Sequence, residues 1–310
     1  MPSLKVNVII PVYNARETIR KCVGSVLEND YDNFEVIIVD DCSTDGTLEI
    51  IQGINDGRLR ILTSASNSGA AFSRNFGVKN SEGDLILFLD ADSYIDKDWV
   101  GRHVRLHKAI EADIIGGSIS SVYRTMFGKC DGFCNWWTSI PYSKGGYVKK
   151  LHLPTNNISI CRAVFDKIGY LDENLMTGED AEFCYRALKS KIKIYLKSDL
   201  TAYHYEKDTL VGFLRHQGKW GRHVFRIRKK HKMDYHYLLP NSYTAAYLYV
   251  APLAFLLTAF VLLKWLRYRP SVLFYAPLIF IGKLSHAAAI KDAFIEYRRF
   301  ERLSSTAAHI

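Results

Sequence analysis

In the first third of the chain, short apolar runs alternate with stretches whose apolar residues recur every three or four positions. Lys5–Val12 reads as a buried strand. Tyr13-Asn14-Ala15 turns, and from Glu17 to about Asn29 the residues Ile19, Cys22, Val23, Val26 and Leu27 share a helical face. Phe34–Asp40 is a second strand, and the polar turn Asp41–Gly46 caps a helix from Thr47. Leu59–Leu62 is a third strand, and Asn67-Ser68-Gly69 breaks into a helix reaching about Val78. Asp84–Leu89 is a fourth strand that ends on Asp90-Ala91-Asp92. A helix from Asp98 to Glu111 precedes a strand at Ile114–Ser118. This alternation predicts an α/β fold with a mostly parallel, Rossmann-like sheet.

The pattern then changes. Tyr123–Lys150 has no clear period and is rich in aromatics and glycine, including Phe127, Phe133, Trp136, Trp137, Tyr142 and Tyr147. A loop of that size is usually functional or partly helical, and its aromatics are expected either to contact an acceptor or to belong to the core. Asn156–Cys161 reads as a strand, Arg162–Ile168 as a short helix, and Gly178-Glu179-Asp180 opens a helix to about Lys189. Ile192–Leu196 and Leu200–Tyr205 look extended. Leu210–His231 is amphipathic: Phe213, Trp220, Val224 and Ile227 share one face, and Arg215, Lys219, Arg222, Arg226 and Lys229 repeat on another. Such a helix either carries a solvated basic side or lies at a membrane interface. The apolar sequence after it favours the interface. Ala245–Leu263 is 19 residues without a charge, long enough to span a hydrocarbon core, and Pro252 permits a kink. Ser271–Gly282 is a shorter run that meets Lys283, which either snorkels in a helix reaching Ile290 or keeps the run at the interface. The predicted organisation is a catalytic domain over 1–208, a basic interfacial helix over 209–240, one or two transmembrane helices over 241–290 and a basic tail over 291–310.

Charge sharpens this reading. Lys and Arg number 41 against 32 Asp and Glu, for a net +9. Eight of the basic residues fall between Thr209 and Met233, where there is no acid, so the remainder is near neutral (33 against 32). A general polyanion binder, and with it a nucleic-acid partner, is not expected; one helix is suited to anionic lipid. The six cysteines are scattered, and the close pair Cys130 and Cys134 lacks a matching pair elsewhere. Buried free thiols in a reducing compartment fit better than a zinc site. No signal-peptide pattern precedes the first strand. The expected setting is a membrane, with the catalytic domain in the cytoplasm.

In parallel sheets, ligands sit beyond the C-terminal strand ends. Asp40, Asp41, Asp90 and Asp92 all fall there. Two carboxylates one residue apart can hold a divalent cation, and the cation can hold a diphosphate. A dinucleotide oxidoreductase is disfavoured because no GxGxxG comes after the first strand.

Five segments carry a resemblance: Val8–Asn14, Val39–Gly46, Ala71–Asn75, Phe88–Asp92 and Gly178–Glu182. In this order, over about residues 4 to 235, the chain resembles the family-2 glycosyltransferases of the GT-A fold. The resemblance implies transfer of a hexose-type sugar from a UDP- or GDP-sugar, with inversion and with Mg²⁺ or Mn²⁺. It implies that Pro11, Tyr13 and Asn14 frame the nucleobase and ribose, with Glu17 as a further contact. Asp41, or Asp40 beside it, would accept from the base edge; Asp41 is preferred. Arg74 would contact base or diphosphate, or else form a helix-surface ion pair. Asp90 and Asp92 would bind ribose and metal, with Asp92 the direct ligand, and His204 would be a third metal or diphosphate contact or a packed core histidine. Asp180 would be the base, with Glu179 the alternate. The chain departs from the Gln/Arg-x-x-Arg-Trp motif of processive synthases at His216-Gln217-Gly218-Lys219-Trp220. Two spans are also too few for a polymer channel, so one sugar per encounter is expected. The acceptor would be a lipid-linked saccharide or a polyprenyl phosphate, in cell-envelope or glycan biosynthesis. The alternative is an inactive, membrane-anchored nucleotide-sugar binder; oligomeric state is left open.

Overall fold

The computed structural model of the chain describes residues 4–141, 143–149, 152–175, 177–231 and 239–307. Tyr142, Lys150, residues 232–238 of the expected interfacial segment and residues 308–310 of the expected tail lie outside the described residues. Two compact units divide the chain: 1–121 with 138–205, and 122–137 with 206–310.

In chain order the first unit begins with β1 (Val6–Val12), α1 (Ile19–Leu27), β2 (Phe34–Asp40), α2 (Thr47–Gln52), β3 (Leu59–Thr63), α3 (Ala70–Lys79) and β4 (Leu85–Leu89). Then come β5 (Ser93–Ile95), α4 (Trp99–Ala109) and β6 (Ile114–Val122). After α5 (Met126–Asn135), which belongs to the second unit, the first unit resumes with β7 (Gly146–Tyr147), β8 (Asn157–Cys161), α6 (Arg162–Ile168), α7 (Glu179–Lys189) and β9 (Ile194–Tyr205). All the strands join one sheet in the order β3-β2-β1-β4-β8-β6-β9-β5, with β7 paired to β9. From β3 to β4 the strands are parallel, as the alternation predicted: Val12 lies opposite Asp40, Asp40 opposite Thr63, and Ile9 opposite Phe88. Beyond β4 the pairing turns antiparallel, with Leu85 opposite Cys161 and Ser93 opposite His204.

β1, β2 and β4 are almost wholly buried because helices cover both sides of the sheet, while the edge strand β3 is partly exposed. Every residue of β1 is buried. Ile9, Ile37, Val39, Phe88, Ile158, Phe165 and Phe183 form one continuous core. The chain leaves β1 toward β2 and β3 on one side, while β4 lies on the other. That reversal places the topological switch point, where open α/β sheets take their ligands, at the C-terminal ends of β1 and β4.

Three elements differ from the sequence expectation. Helix α5 lies inside the aperiodic stretch; Thr125 caps it by accepting from the amides of Phe127 and Gly128. Its start was marked by a cap and not by apolar spacing. Strand β5 is three residues long, too short for any period. The two extended segments after α7 are one strand, β9.

The second unit adds α8 (Leu210–His231), α9 (Tyr243–Leu248), α10 (Val250–Leu266), a 3₁₀ turn (Pro270–Tyr275) and α11 (Ala276–Ala307). α8 packs lengthwise and parallel to α11. A side chain at Gly221 would strike the His286 backbone, Ser285 Oγ donates to Leu214 O at 2.9 Å, and Phe225 meets Phe294 at 6.2 Å. α11 runs on past Ile290, and Lys283 is buried within the unit. Its Nζ donates to Gln217 Oε1 at 2.9 Å, and Gln217 Nε2 donates to Asp131 Oδ1 at 3.0 Å. The amide thus bridges a buried cation and a buried anion. His216 Nδ1 lies 2.7 Å from Asp131 Oδ2, and Trp220 Nε1 donates to His216 Nε2. His216 therefore carries its proton on Nδ1.

Candidate active site

The site grows from four strand ends and two helix starts of the first unit. At the end of β1, Tyr13 is half exposed, Pro11 is buried and Glu17 is exposed before α1. Asn14 adopts a left-handed backbone, φ 50°. Its amide donates to Ser43 Oγ at 3.0 Å, and its side-chain oxygen accepts from Thr44 N at 2.8 Å. Asn14 thus knits the β1 turn to the turn after β2.

The two acids after β2 have different neighbours. Asp41 Oδ1 accepts from Ser64 Oγ at 2.7 Å and Ser68 N at 2.9 Å, and Oδ2 accepts from Gly69 N at 2.7 Å. It pins the turn that starts α3, and both its oxygens are engaged. Asp40 Oδ2 accepts from Ser43 N at 3.1 Å, while its Oδ1 is buried without a hydrogen-bond partner.

Arg74 projects from the second turn of α3 and is the electrostatic centre of the site. Nη2 meets Asp90 Oδ1 at 2.6 Å and Nη1 meets Glu179 Oε1 at 2.7 Å. Burial by itself would lower the guanidinium pKa; Asp90 and Glu179 outweigh it and raise it. Burial raises the Glu179 carboxyl, against the pull of Arg74. Arg74 is therefore a buried cation with two carboxylates, not a helix-surface pair. Asp90 and Glu179 are both committed to it.

Asp92 is turned elsewhere. β5 and β9 place His204 beside it, with Nε2 at 3.2 Å from Asp92 Oδ1. The three residues expected at a metal are thus divided: Asp92 and His204 adjoin, while Asp90 faces Arg74. Among the described residues no three His, Cys, Asp or Glu form a metal-holding group. A carboxylate with an imidazole still suits Mg²⁺ or Mn²⁺ when the ligand itself supplies oxygens.

Asp180 stands at the start of α7. Gly178 precedes it with φ 81°, a left-handed turn that glycine adopts without strain. Asp180 is nearly buried, and its Oδ1 accepts from Ala181 N at 2.7 Å. Asn75, one residue past Arg74, holds the approach to α7: its Nδ2 donates to Leu171 O at 2.9 Å and its Oδ1 accepts from Leu171 N at 3.0 Å. Neighbouring positions of α3 thus set both the aspartate turn and the Glu179-Asp180 turn.

Asn156 was missed in the sequence. Its Oδ1 accepts from Ser93 Oγ at 2.8 Å and, more weakly, from Asp90 N at 3.4 Å. Its Nδ2 is buried without a partner. A buried polar residue opening an apolar strand was the one available signal.

With this geometry in place, comparison with known proteins decides the family. The profile of glycosyl transferase family 2 matches residues 7–168. The chain belongs to glycosyl transferase family 2. Among its relatives, glycosyltransferase AglE of Haloferax volcanii is 30% identical over 64% of this chain and 66% of its own length. The putative teichuronic acid biosynthesis glycosyltransferase TuaG of Bacillus subtilis is 45% identical over 30% of this chain and 38% of its own length. A dolichyl N-acetyl-alpha-D-glucosaminyl phosphate 3-beta-D-2,3-diacetamido-2,3-dideoxy-beta-D-glucuronosyltransferase of Methanococcus voltae is 23% identical over 70% of this chain and 71% of its own length. The chain thus spans from 38% to 71% of the length of these three relatives. Among solved structures, the mannosyltransferase PcManGT of Pyrobaculum calidifontis, in complex with GDP-Man and Mn²⁺, superposes with a TM-score of 0.62 at 18% identity. It covers 93% of this chain and 86% of that one. S. aureus TarS 1–349 with UDP gives 0.54 at 20% identity, over 96% and 92%. These likenesses share the GT-A fold.

Proposed function

We propose that the chain transfers a single sugar, with inversion, from a UDP- or GDP-sugar to a membrane-associated acceptor such as a lipid-linked saccharide. The observation that carries this is Arg74 held between Asp90 and Glu179, which leaves Asp180 as the unpaired carboxylate of the pair opening α7. The Methanococcus voltae relative, by its name, acts on a dolichyl-linked sugar phosphate, and the apolar C-terminal helices support a membrane setting.

The nucleotide would lie at the C-terminal ends of β1 and β4. Tyr13 offers an exposed ring there, and Asp40 has a buried acceptor oxygen awaiting a donor. The sequence preference for Asp41 as the base contact yields to Asp40, because Asp41 is engaged by the α3 turn. Asp92 and His204 would hold Mg²⁺ or Mn²⁺; when bound, the ion offsets the charge that grows on the leaving diphosphate. Asp180 would take the proton of the acceptor hydroxyl on the face opposite the leaving group. Arg74 fixes Asp90 and Glu179 and keeps their charge from accumulating beside Asp180.

The test is Asp180→Asn in purified full-length protein, with UDP- and GDP-sugars and a hydroxyl acceptor. General-base removal should lower turnover by roughly 10²–10⁴-fold while nucleotide-sugar binding persists. Unchanged turnover would refute the base assignment, and a small loss with a phosphate acceptor would identify a polyprenyl-phosphate sugar synthase. Binding without turnover or slow hydrolysis in the parent protein would leave only the inactive binder. Polymeric product would overturn single transfer.

A further inference from the structure

Asp40 Oδ1, Arg74 Nε and Asn156 Nδ2 are buried without a hydrogen-bond partner, and all three belong to residues of the candidate site. Such orphans are rare in folded proteins, because each forfeits its bond to water. Asn156 is the informative one, since its own bonds fix where the orphan sits. The residue is 1% exposed. Its Oδ1 accepts from Ser93 Oγ at 2.8 Å and faces the Asp90 amide at 3.4 Å. A backbone N–H only donates, so turning the side chain over would set its NH₂ against the Asp90 N–H. The free donor therefore belongs to the fold. Asn157 shows the contrast. Its Oδ1 accepts from Trp99 Nε1 at 2.9 Å, and its Nδ2 donates to Ser118 O at 2.8 Å and Leu200 O at 2.9 Å. Both ends of Asn157 hold the scaffold; only one end of Asn156 does.

The neighbours of the orphan select its ligand. Asp90 gives Oδ1 to Arg74, and among the described residues its Oδ2 accepts no hydrogen bond. A donor and an acceptor on adjoining residues complement a hydroxyl, which accepts and donates at once. A phosphate oxygen only accepts, and it would meet Asp90, Glu179 and Asp180, whose carboxyls all act on the one guanidinium of Arg74. Position along the sheet then separates the two sugars of a nucleotide-sugar. The strands run β2, β1, β4, β8. Asp40 ends β2, and Asn156 precedes β8, where Asn157 lies opposite Leu89. Three strand spacings of about 4.8 Å put Asp40 and Asn156 roughly 14 Å apart. With the base on Asp40, the ribose bonded to it stays near β1, whereas the second sugar, beyond two phosphates, reaches β8. Arg74 also ties Asp90 to Glu179, so Asn156 lies toward Asp180, the side on which the anomeric carbon must react.

We infer that Asn156 reads a hydroxyl of the transferred sugar: Nδ2 donates to the hydroxyl oxygen, and the hydroxyl proton turns to Asp90 Oδ2. Asn156 is thus a specificity residue for the donor sugar and not for the nucleotide that carries it. The inference deepens the proposed use of a UDP- or GDP-sugar and rests on it.

The experiment is calorimetric binding to the full-length protein with Mn²⁺ present. The probes are UDP, GDP, UDP-glucose, UDP-galactose, UDP-N-acetylglucosamine and GDP-mannose. Asn156→Ala should weaken the tightest nucleotide-sugar about tenfold and leave its free nucleotide within twofold. Monodeoxy analogues of that sugar then complete a cycle in which any effect of the substitution on the scaffold cancels. For one analogue the penalty of Asn156→Ala should vanish, because the hydroxyl it served is gone. Where Ala abolishes nucleotide binding, Asn156→Ser repeats the cycle with a small polar side chain in place. An equal loss for nucleotide and nucleotide-sugar assigns the amide to the ribose, the phosphates or the scaffold, and overturns the inference. A penalty that survives in every deoxy analogue means Nδ2 serves an ordered water, and no penalty at all means it meets no ligand; both overturn it. A parent protein that binds none of these donors sinks the proposed donor class and this assignment with it. Tight donor binding with a failed cycle sinks the assignment of Asn156 alone.

Discussion

Replacing Arg74 with Met probes the electrostatic centre of the site most directly. The guanidinium is 3% exposed and holds carboxylates at 2.6 and 2.7 Å. Methionine fills much of the same volume, so the loss is mainly of charge and hydrogen bonds. Removing one partner of a buried ion pair costs about 3–5 kcal/mol, because the other charge is left uncompensated. Here two carboxylates are stranded, although Glu179 can escape part of the cost by binding a proton. Its folded pKa, already raised by burial, would rise further above the unfolded value. A raised carboxyl keeps its stability below the unfolded pKa and loses it as pH rises through the folded one. The defect of R74M should therefore be smaller at pH 5 than at pH 8. Unfolding of a two-unit chain is not expected to be two-state, so the readout is hydrogen exchange of α3, β4 and α7 amides. The expected loss of protection at pH 8 is about two to three and a half orders of magnitude, from about 1.4 kcal/mol per tenfold. Adding Glu179→Gln should restore part of it. A loss under tenfold, or a defect that grows on acidification, would refute the pairing as the organising feature of the site.

Two other predictions concern buried polar groups of the first unit. His103 and His107, both bonded to Ser159 Oγ, are held down to about 3 and about 4 by burial. Their folded values are depressed, so the unfolded chain binds more protons below about pH 6.5, and stability should fall as pH drops from there toward 4. At pH 5 each contributes about 2 kcal/mol of that loss; a pH-stability curve of the His103→Gln, His107→Gln variant should be flatter, and an unchanged slope would refute this. Asn156→Asp keeps the acceptor for Ser93 but removes the free donor and adds charge beside Asp90; nucleotide-sugar binding by calorimetry should weaken at least about tenfold, and equal affinity would show that the unpaired Nδ2 never meets the ligand.

Much of the fold was legible because apolar period and strand length are local properties. β2 and α8 start and stop where their patterns do. Elements set by something other than period escaped. α5 is announced by the Thr125 cap, and β5 exists only because His204 and Tyr203 offer it a partner across more than 100 residues of chain. The run Ala245–Leu263 likewise looks alike in sequence whether its neighbour is lipid or α11, and only the structure shows that a single stripe of α10 is covered.

At the site, the sequence identified the acids but not their partners, and partnership decides role. Asp41 and Asp90 occupy motif positions as prominent as Asp40 and Asp92. Yet Asp41 has both oxygens engaged by Ser64, Ser68 and Gly69, and Asp90 gives Oδ1 to the buried Arg74. A carboxylate whose oxygens already accept short hydrogen bonds from the scaffold gains little by accepting another from a ligand, because it must first give one up. Among the described residues, Asp40 has one oxygen without a hydrogen-bond partner, Asp92 adjoins an imidazole, and Asp180 accepts from the amide of the residue after it. On the proposed reading, each doublet carries one scaffold acid and one acid for chemistry. The scaffold members converge on the two ends of α3, Asp41 on its first amides and Asp90 and Glu179 on Arg74. Displacing α3 would therefore move the proposed base pocket, the aspartate turn and the Asp180 turn together.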